Sequence, residues 1–395
     1  MKHIGKKSAR RAVLCVATAL LVNLASATVF ATPALGSGDI NDDGVVTVDV
    51  DVQAVYEFVY QGIQLSEAQL AAADVDLDGD VDNDDLEHIY FYTSGAVRAL
   101  PVKNRLFLTA DVHETQGVTN FSNVMQNTYW SYTVPEVMSQ VIFGGDYDNT
   151  LTDVSADIEQ ECNDAVQQIY PDINPYMAQG NHDQKTQDPD NPGAPYPYNK
   201  GLVVDPANSN YGVYIMDIDA ADIWNIDFRQ TDIDHLARLL DYVPSYVPFV
   251  IVSHIPIHSF KASYVVREYP HAEALIDVLN GHHNVIFLYG HNHSQKDPMY
   301  FNPLYGGGTI PYNYVSDTQS DTANIDFSYL TMGAAKDGGN DTSPDGVYAV
   351  RISLDKIRTG AYYDSSDVHI NSYDVDGDIQ NSATIHIDYS GAYVQ

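Results

Sequence analysis

The sequence predicts an α/β fold with layered β-sheets flanked by helices, preceded by a small all-α unit. From residue 100 onward, short apolar runs of strand length alternate with polar stretches and helical patterns. Between residues 37 and 97, two similar acidic segments recur 35 residues apart, and an amphipathic helix pattern follows each of them. With 395 residues, 44% of them hydrophobic, the chain is long enough to bury one large core and one small core.

Five apolar runs in the second part of the chain have the length of buried strands. They cover residues 106–110, 141–143, 176–178, 249–252 and 285–289. Helical patterns at 232–242 and 271–279 lie between or beside them, which favours a layered α/β domain over residues 101–395. The tail alternates apolar and polar residues, so we expect it to add antiparallel strands to this domain.

The first 31 residues have the features of a secretory signal peptide. Five basic residues, the last of them Arg11, precede an apolar run at 12–24, and the segments Ala25-Ser26-Ala27 and Phe30-Ala31 offer cleavage positions after small residues. About a dozen apolar residues are too few to span a bilayer comfortably, which argues against a membrane anchor. We therefore expect a secreted, extracellular protein.

The composition is strongly acidic, with 54 Asp and Glu residues against 19 Lys and Arg residues and a formal net charge of −35. Such a surface repels nucleic acid and anionic membranes, so we expect neither as a partner. Cys15 lies in the predicted signal peptide, and Cys162 would remain alone in the mature chain. Neither a disulfide framework nor a thiolate metal site is therefore expected.

The two acidic segments have the ligand spacing of calcium-binding loops. The second places oxygen ligands at loop positions 1, 3, 5, 9 and 12 and a glycine at position 6, and Ca²⁺ takes six to eight such donors. Its predicted ligands are Asp74, Asp76, Asp78, Asp82 and Asp85. The first loop offers Asp39, Asn41, Asp43 and Thr47. Its twelfth position falls on Val50, between Asp49 and Asp51, so its closing ligand stays open.

Two such loops, each followed by one helix pattern, resemble a type I dockerin module over residues 37–97. The resemblance implies bound Ca²⁺ and a cohesin-bearing scaffold protein as partner, and hence attachment to an extracellular multi-enzyme complex such as a cellulosome. The surface residues for such pairing would be Val48, Asp49, Asn83 and Asp84. A calcium-stabilised spacer or a solvated acidic segment is the alternative interpretation of the same residues.

Asp, Asn and His residues follow all five apolar runs at short distance. They are Asp111 and His113, Asp146, Asn181 and His182, His254, and His291 and His293. Because open α/β sheets place their sites beyond the carboxyl ends of the strands, we expect these side chains to converge. They supply enough nitrogen and oxygen ligands for two adjacent metal ions, an arrangement that hydrolyses phosphate esters.

In this order, the motifs resemble the calcineurin-like metallophosphoesterase family over roughly residues 104–350. They read Asp111-Val112-His113, Gly144-Gly145-Asp146, Gly180-Asn181-His182-Asp183, Ser253-His254 and Gly290-His291-Asn292-His293. The resemblance implies that the first metal ion is held by Asp111, His113, Asp146 and His293, and the second by Asp146, Asn181, His254 and His291. The imidazole and oxygen ligands suit two divalent transition metal ions, Mn, Zn, Fe, Co or Ni, without deciding among them. Purple acid phosphatases carry a tyrosine where this chain has Asn149, so a tyrosinate-bound ferric site is not expected.

The resemblance also implies roles for neighbouring residues. A hydroxide bridging the metals would attack phosphorus, while His182 stabilises the leaving oxygen as a general acid or charged donor and Asp183 orients His182. A hydrogen bond without proton transfer is the alternative for His182. His258 is a candidate substrate-binding residue, with loop packing as the alternative, because Pro256 argues against a helical ligand pair with His254.

These residues together predict a secreted binuclear phosphoesterase that hydrolyses phosphate mono- or diesters and is tethered through the dockerin-like module. One alternative is a nucleotidase or nuclease on the same fold, against which the lack of a basic cluster counts. A second alternative is a non-catalytic assembly protein whose large domain only binds metal or ligand. The full set of metal ligands counts against that alternative.

Overall fold

The computed structural model describes the chain from residue 36 to residue 394, with gaps. The described ranges are 36–75, 80–95, 100, 104–130, 138–147, 155–171, 173–183, 198–206, 211–220, 224–262, 265–267, 269–293, 308–316, 319–336, 347–359 and 362–394. The predicted signal peptide at 1–31 lies outside them. Within these ranges, no helix combines the length and the apolar composition that membrane crossing requires.

A small helical unit comes first among the described residues. It contains a π-helical turn, Val48–Val52, and the helices α1 (Gln53–Gln61), α2 (Glu67–Ala73) and α3 (Asn83–Thr93). A capping box begins α2, because the Ser66 side chain accepts from the Gln69 N–H while the Gln69 side chain accepts from the Ser66 N–H. The unit has its own buried core of Ile40, Val55, Ala72, Ala73, Val75, Leu86 and Ile89.

The π-helical turn accommodates one extra residue in the first acidic loop. Asp51, at loop position 13, is buried and accepts the N–H groups of Ile40 (2.8 Å) and Thr47 (2.7 Å), the second and ninth loop residues. Asp85, at position 12 of the second loop, accepts the N–H groups of the same two positions at 2.7 and 2.9 Å. Because a π turn holds more residues than an α turn, the insertion is absorbed there. Asp51 rather than Val50 therefore matches Asp85.

The α/β unit follows from residue 104. Its helices in the described ranges are α4 (Thr115–Trp130), α5 (Ser155–Ile169), α6 (Gln230–Leu240) and α7 (Ala272–Leu279). Its strands are β1 (Asn104–Thr109), β2 (Gln140–Phe143), β3 (Tyr176–Met177), β4 (Gly201–Val204), β5 (Gly212–Ile215), β6 (Ile218–Ala220), β7 (Ile226–Phe228), β8 (Phe249–Ser253), β9 (Phe260–Ala262), β10 (Val265–Arg267), β11 (Val285–Tyr289), β12 (Gly308–Ser316), β13 (Gln319–Ile325), β14 (Ser328–Thr331), β15 (Ala349–Thr359), β16 (Tyr362–Tyr373), β17 (Ile379–Asp388) and β18 (Ala392–Val394).

Two larger sheets organise this unit, in the orders β18-β17-β16-β15-β1-β2-β3 and β14-β11-β8-β5-β4. Strands β1, β2 and β3 are parallel, and so are β5, β8, β11 and β14. The tail strands β15 to β18 extend the first sheet in antiparallel fashion, as the alternating pattern of the tail predicts. The hairpins β6–β7, β9–β10 and β12–β13 form three smaller sheets.

Successive strand residues point to opposite faces, so the apolar side chains form three clusters, one between the two sheets and one on the outer face of each sheet. Leu106 and Leu108 of β1 pack with Leu288 of β11 in a cluster between the two sheets. Phe107, on the opposite face of β1, packs with residues of α4 and α5, while Phe287 packs with residues of α6 and α7. The order is therefore helix, sheet, sheet, helix. The mixed α/β class with layered sheets that the sequence predicts is confirmed.

The layering places the carboxyl ends of five strands where the predicted ligands begin. Strands β1, β2 and β3 of one sheet lead into Asp111, Asp146 and Asn181, while β8 and β11 of the other lead into His254 and His291. Side chains from both sheets can therefore meet at one edge of the sandwich.

Candidate metal centre

The predicted ligands of the two sheets come together in two groups that share one carboxylate. One ligand atom of each of Asp111, His113, Asp146 and His293 lies within 4.8 Å of the others, and the same holds for Asp146, His254 and His291. Asp111, His113, Asp146 and His254 are buried, whereas His291 and His293 are partly exposed. The described residues contain no third group of this kind.

Asp146 lies at the junction of the two groups. Its Oδ1 accepts the N–H of His182 at 2.9 Å. Its Oδ2 is buried without a hydrogen-bond partner and lies 3.3 Å from Nε2 of His254 and 3.8 Å from Nε2 of His113. Because buried polar atoms in folded proteins rarely lack partners, this oxygen fits a position that a bound cation satisfies.

The imidazole groups show the same preference for a cation. Nδ1 of His254 lies 2.9 Å from the Gly144 carbonyl oxygen, and its Nε2 lies 2.9 Å from Oδ1 of Asn181. Nδ1 of His254 can donate to the Gly144 carbonyl oxygen, and Nε2 then faces an acceptor oxygen, an arrangement that either a proton on Nε2 or a metal ion between the two atoms satisfies. In the other group, Nε2 of His113 and Nε2 of His293 lie 2.9 Å apart. The donor set therefore fits two divalent ions.

The backbone at the ligands is strained. Six non-glycine residues in the described ranges have a positive φ, and five of them are predicted metal ligands with φ between 50° and 70°. They are Asp111, His113, Asp146, His291 and His293. Such conformations cost of order 1–3 kcal/mol each, and they cluster at functional sites. The fold therefore holds these side chains in place against local backbone preference.

Asp183 fixes the loop that carries Asp146. Its buried carboxylate accepts the backbone N–H groups of Asp146 (2.7 Å), Tyr147 (2.8 Å) and Gly180 (2.7 Å). It makes no hydrogen bond to His182, whose Nδ1 is buried without a partner among the described residues. Both oxygens of Asp183 thus face backbone donors, and its role in orienting His182 stays a prediction.

Burial and mutual charge shift the pKa values of the carboxyl and imidazole groups at the centre. Burial raises the pKa of Asp183 to about 8, and the nearby Asp146 charge contributes. Burial also raises the pKa of Asp111. Burial acts against the charged form of Asp146, but His254 and His113 hold the pKa of Asp146 far below its usual range. Burial would lower the pKa of His254, but Asp146 raises it to about 9. A metal ion that binds Nε2 of His254 would therefore have to displace a proton.

Glycines allow the close approach of the ligand loops. A Cβ on Gly180 would lie 2.2 Å from both the backbone nitrogen and Oδ1 of Asp146. A Cβ on Gly290 would lie 2.5 Å from Cβ of Ala110 and 3.0 Å from Oδ2 of Asp111. Any larger residue in place of the glycines of the Gly-Asn-His-Asp and Gly-His-Asn-His motifs would therefore collide with neighbouring atoms of the site.

The sequence does not predict the loop that holds the backbone of the metal ligand Asp111 in place. The backbone N–H groups of Ala335 and Lys336 donate to the carbonyl oxygens of Ala110 and Asp111, both at 3.0 Å. Asn120 in α4 donates from Nδ2 to the Ala335 carbonyl oxygen at 2.9 Å. No motif marks these residues, because two of the three contacts use only backbone atoms.

His258 lies against a buried tyrosine. Its Nδ1 is 2.7 Å from the Tyr329 hydroxyl, which also accepts the N–H groups of Ile257 (2.9 Å) and His258 (3.3 Å). The phenol thus donates its proton to Nδ1, and the loop behind His254 is anchored. These contacts favour the loop-packing alternative for His258.

The predicted calcium ligands are only partly described. Asp76 and Asp78 lie outside the described residues, whereas the remaining predicted ligands lie within them. In the first loop, Asp39 accepts the N–H groups of Asp43 (3.1 Å) and Gly44 (2.7 Å), and Asp43 accepts a hydrogen bond from Asn41 at 2.8 Å. These contacts close a tight turn.

No protein-family model matches the sequence, and no curated protein matches it. Solved structures with partial similarity include a 5'-nucleotidase precursor from Thermus thermophilus, with 10% identity, a TM-score of 0.32 and coverage of 74% of this chain and 54% of that one. This chain thus spans about half the length of that nucleotidase.

Two shorter structures also show partial similarity. A conserved protein from Streptococcus pneumoniae, described as a predicted phosphoesterase, has 12% identity and a TM-score of 0.28 over 74% of this chain and 98% of that one. A phosphatase from Mycoplasma pneumoniae has 11% identity and a TM-score of 0.31 over 72% of this chain and 94% of that one. Phosphoesterases and phosphatases are therefore among the structural neighbours of the chain.

We expect Gly180→Ala to destabilise the protein, because the new Cβ would collide with the backbone of Asp146. Overpacking of this kind costs roughly 1–3 kcal/mol. Gly391→Ala is the matched control, since no atom lies within 4 Å of its added Cβ. Chemical denaturation measures both free energies of unfolding. Equal values for the two variants would contradict the close approach of the two loops.

We expect metal affinity to rise with pH in the range below the raised pKa of His254. Because that pKa is about 9, a metal ion that binds Nε2 must displace a proton at neutral pH. Affinity should fall about tenfold for each pH unit below that value. Calorimetry in metal-buffered solutions at pH 7 and 8 measures the affinity and the protons released. An affinity independent of pH would contradict this assignment.

Proposed function

We propose that the protein is a metal-dependent phosphoesterase that hydrolyses phosphate mono- or diesters at the Asp146 centre. The observation that carries the proposal is the buried Oδ2 of Asp146, which has no hydrogen bond and lies between His254 at 3.3 Å and His113 at 3.8 Å. When bound, two divalent ions polarise phosphate oxygens and activate water at neutral pH. The predicted ions are Mn, Zn, Fe, Co or Ni, which the nitrogen and oxygen donors suit equally.

The charges of the centre favour a phosphate group. Two divalent ions outweigh the negative charges of Asp111 and Asp146, so the site attracts an anion although the chain carries a formal charge of −35. The residues that hold the ions are Asp111, His113, Asp146 and His293 in one group and Asp146, Asn181, His254 and His291 in the other. Their positions in short segments directly behind the strands pre-organise the site.

His182 is the proposed proton donor to the leaving oxygen. Its backbone N–H is tied to Oδ1 of Asp146 at 2.9 Å, and its ring packs edge-on against the ring of His113, with centroids 5.3 Å apart. The side chain is half-buried beside the metal ligands, so it can reach both the site and solvent. Asp183 supports this residue indirectly, by holding the backbone of Asp146.

We expect Asp146→Asn to lower both metal content and hydrolysis by roughly 100-fold, because an amide cannot bridge two cations with two charged oxygens. Metal content is measured by elemental analysis, and turnover with a generic aryl phosphate monoester, its diester and a nucleotide. Wild-type protein that binds metal but hydrolyses none of them would favour the assembly alternative. Selective turnover of the nucleotide would favour a nucleotidase.

We expect His182→Ala to retain both metal ions and to slow hydrolysis most for esters with poor leaving groups. General acids contribute roughly 100-fold or more when the leaving oxygen needs a proton, and little when it does not. A series of aryl phosphates of increasing leaving-group pKa measures the difference. Equal losses of turnover across the series would contradict the proton-donor role. They would favour the alternative in which His182 forms a hydrogen bond without proton transfer.

The small helical unit is the proposed tether, a dockerin-like module that binds Ca²⁺ and a cohesin-bearing scaffold outside the cell. Support comes from the matching contacts of Asp51 and Asp85 in the two loops. Seven of the eleven exposed large hydrophobic residues of the described ranges belong to this unit: Val45, Val48, Val50, Tyr56, Tyr60, Ile63 and Tyr90. An apolar surface of this density suits a protein partner. Secretion follows from the predicted signal peptide.

We expect Asp51→Ala to lower calcium affinity roughly tenfold, because it removes a carboxylate that closes the first loop. The double change Asp74→Ala with Asp78→Ala should do the same for the second loop. Asp49→Ala is the matched control, since Asp49 is an exposed carboxylate two residues away. Calcium titration by calorimetry measures each affinity. A loss for Asp49→Ala equal to that for Asp51→Ala would contradict Asp51 as the closing ligand.

A further inference from the structure

Two cations share one buried carboxylate beside the metal centre. Nζ of Lys200 lies 2.9 Å, and Nη1 of Arg229 2.7 Å, from Oδ2 of Asp217. The side chain of Asp217 is 5% exposed, whereas those of Lys200 and Arg229 are 59% and 41% exposed. We refer to Lys200 and Arg229 as the cation pair. Together with Asp217, the pair joins the residue before β4, the connection between β5 and β6, and the residue before α6.

Strand register places this group next to a metal ligand. Ile215 pairs with Val252 at the ends of β5 and β8, and the next N–H, that of Met216, donates to the Val252 carbonyl oxygen at 2.9 Å. Asp217 and His254 each follow two residues beyond that last pair. Because neighbouring strands lie about 4.8 Å apart, the backbones of Asp217 and His254 are roughly one strand spacing from each other.

The cation pair retains hydrogen-bonding capacity. Arg229 donates from Nε to the Ile218 carbonyl oxygen at 3.1 Å and from Nη1 to Asp217, and Lys200 donates to Asp217 alone. A guanidinium has five N–H donors and an ammonium three, so most donors of the pair have no protein partner in the described ranges. The exposure of both side chains turns these donors toward solvent.

The two cations of this group face two carboxylates that are less exposed than they are. Asp232 on α6 accepts the N–H of Asp217 at 2.7 Å and lies within reach of the Arg229 charge. Asp217 is buried and Asp232 is partly buried, whereas the side chains of Lys200 and Arg229 are 59% and 41% exposed. The outward side of the group therefore presents two cationic heads, at the end of the sheet where β5 leads to Asp217 and β8 leads to His254.

We propose that the cation pair binds a second anionic group, a carboxylate or a further phosphate, on the alcohol part of the substrate. This inference rests on the proposed phosphoesterase function and narrows its substrate class. The scissile phosphate occupies the metal centre, and the alcohol part extends along the sheet edge toward Asp217. The planar fork of Arg229 and the ammonium of Lys200 then both donate to the second anion, which an uncharged alcohol part cannot use.

Two matched esters test the inference: 3-carboxyphenyl phosphate and 3-carbamoylphenyl phosphate, which differ in charge but little in size or leaving-group basicity. The measured quantity is the ratio of kcat/KM for the anionic ester to that for the neutral ester. This ratio does not depend on the folded fraction, so a loss of stability in a variant does not obscure it. Wild-type protein should prefer the anionic ester, and added salt should weaken that preference.

The variants are Lys200→Gln and Arg229→Gln, with Arg238→Gln as control. Arg238 is an exposed arginine in the last turn of α6, the helix that Arg229 precedes. We expect the ratio of kcat/KM values to fall about threefold for Lys200→Gln and for Arg229→Gln, because exposed charge pairs contribute roughly this much. The ratio should stay constant for Arg238→Gln.

The outcomes separate the two proposals. If the wild type hydrolyses both esters without preference, the anion subsite alone is overturned. The same holds if the wild type prefers the anionic ester but Lys200→Gln and Arg229→Gln leave the ratio unchanged. A metal-loaded wild type that hydrolyses neither ester would overturn the proposed function, and the subsite with it. An equal fall of the ratio for Arg238→Gln would assign the preference to general surface charge and overturn the subsite.

Discussion

The structure depends on a reciprocal pair of carboxylate contacts between two loops. Asp146 accepts the N–H of His182 at 2.9 Å, and Asp183 accepts the N–H of Asp146 at 2.7 Å. The first contact uses Oδ1 of Asp146 and leaves Oδ2 directed at His254 and His113. Gly180 allows the loops to approach this closely. The position of one oxygen atom between the two sheets is therefore fixed by backbone hydrogen bonds rather than by the ligands themselves.

The backbone strain at the metal ligands and the burial of their charged side chains accompany that constraint. Five ligand residues have left-handed backbone conformations, and buried carboxylates and imidazoles face one another at the edge of the sandwich. Each feature destabilises the metal-free protein, and the core between the sheets offsets the cost. Bound cations would neutralise the mutually repelling carboxylates Asp111 and Asp146 and satisfy the buried oxygen. Stability and function are thus linked through the same side chains.

The sequence predicts the layered α/β class and the ligand clusters because both depend on local signals: apolar runs of strand length, and Asp, Asn or His directly behind them. It does not predict features that arise from distant chain segments. Asp183 accepts hydrogen bonds from the backbone of a distant loop, a contact that no motif records. Asp51 closes the first loop through a π turn that shifts the spacing by one residue. Lys200 and Arg229 meet at Asp217 because β4 pairs with β5 and β6 pairs with β7.

Anomalous diffraction from crystals of the protein loaded with Mn²⁺ tests the central claim most directly. The account predicts two strong peaks about 3.5–4 Å apart, both within bonding distance of Asp146. One peak should lie among Asp111, His113 and His293, and the other beside His254 and His291. A single peak, or peaks that do not share the Asp146 carboxylate, would contradict the account.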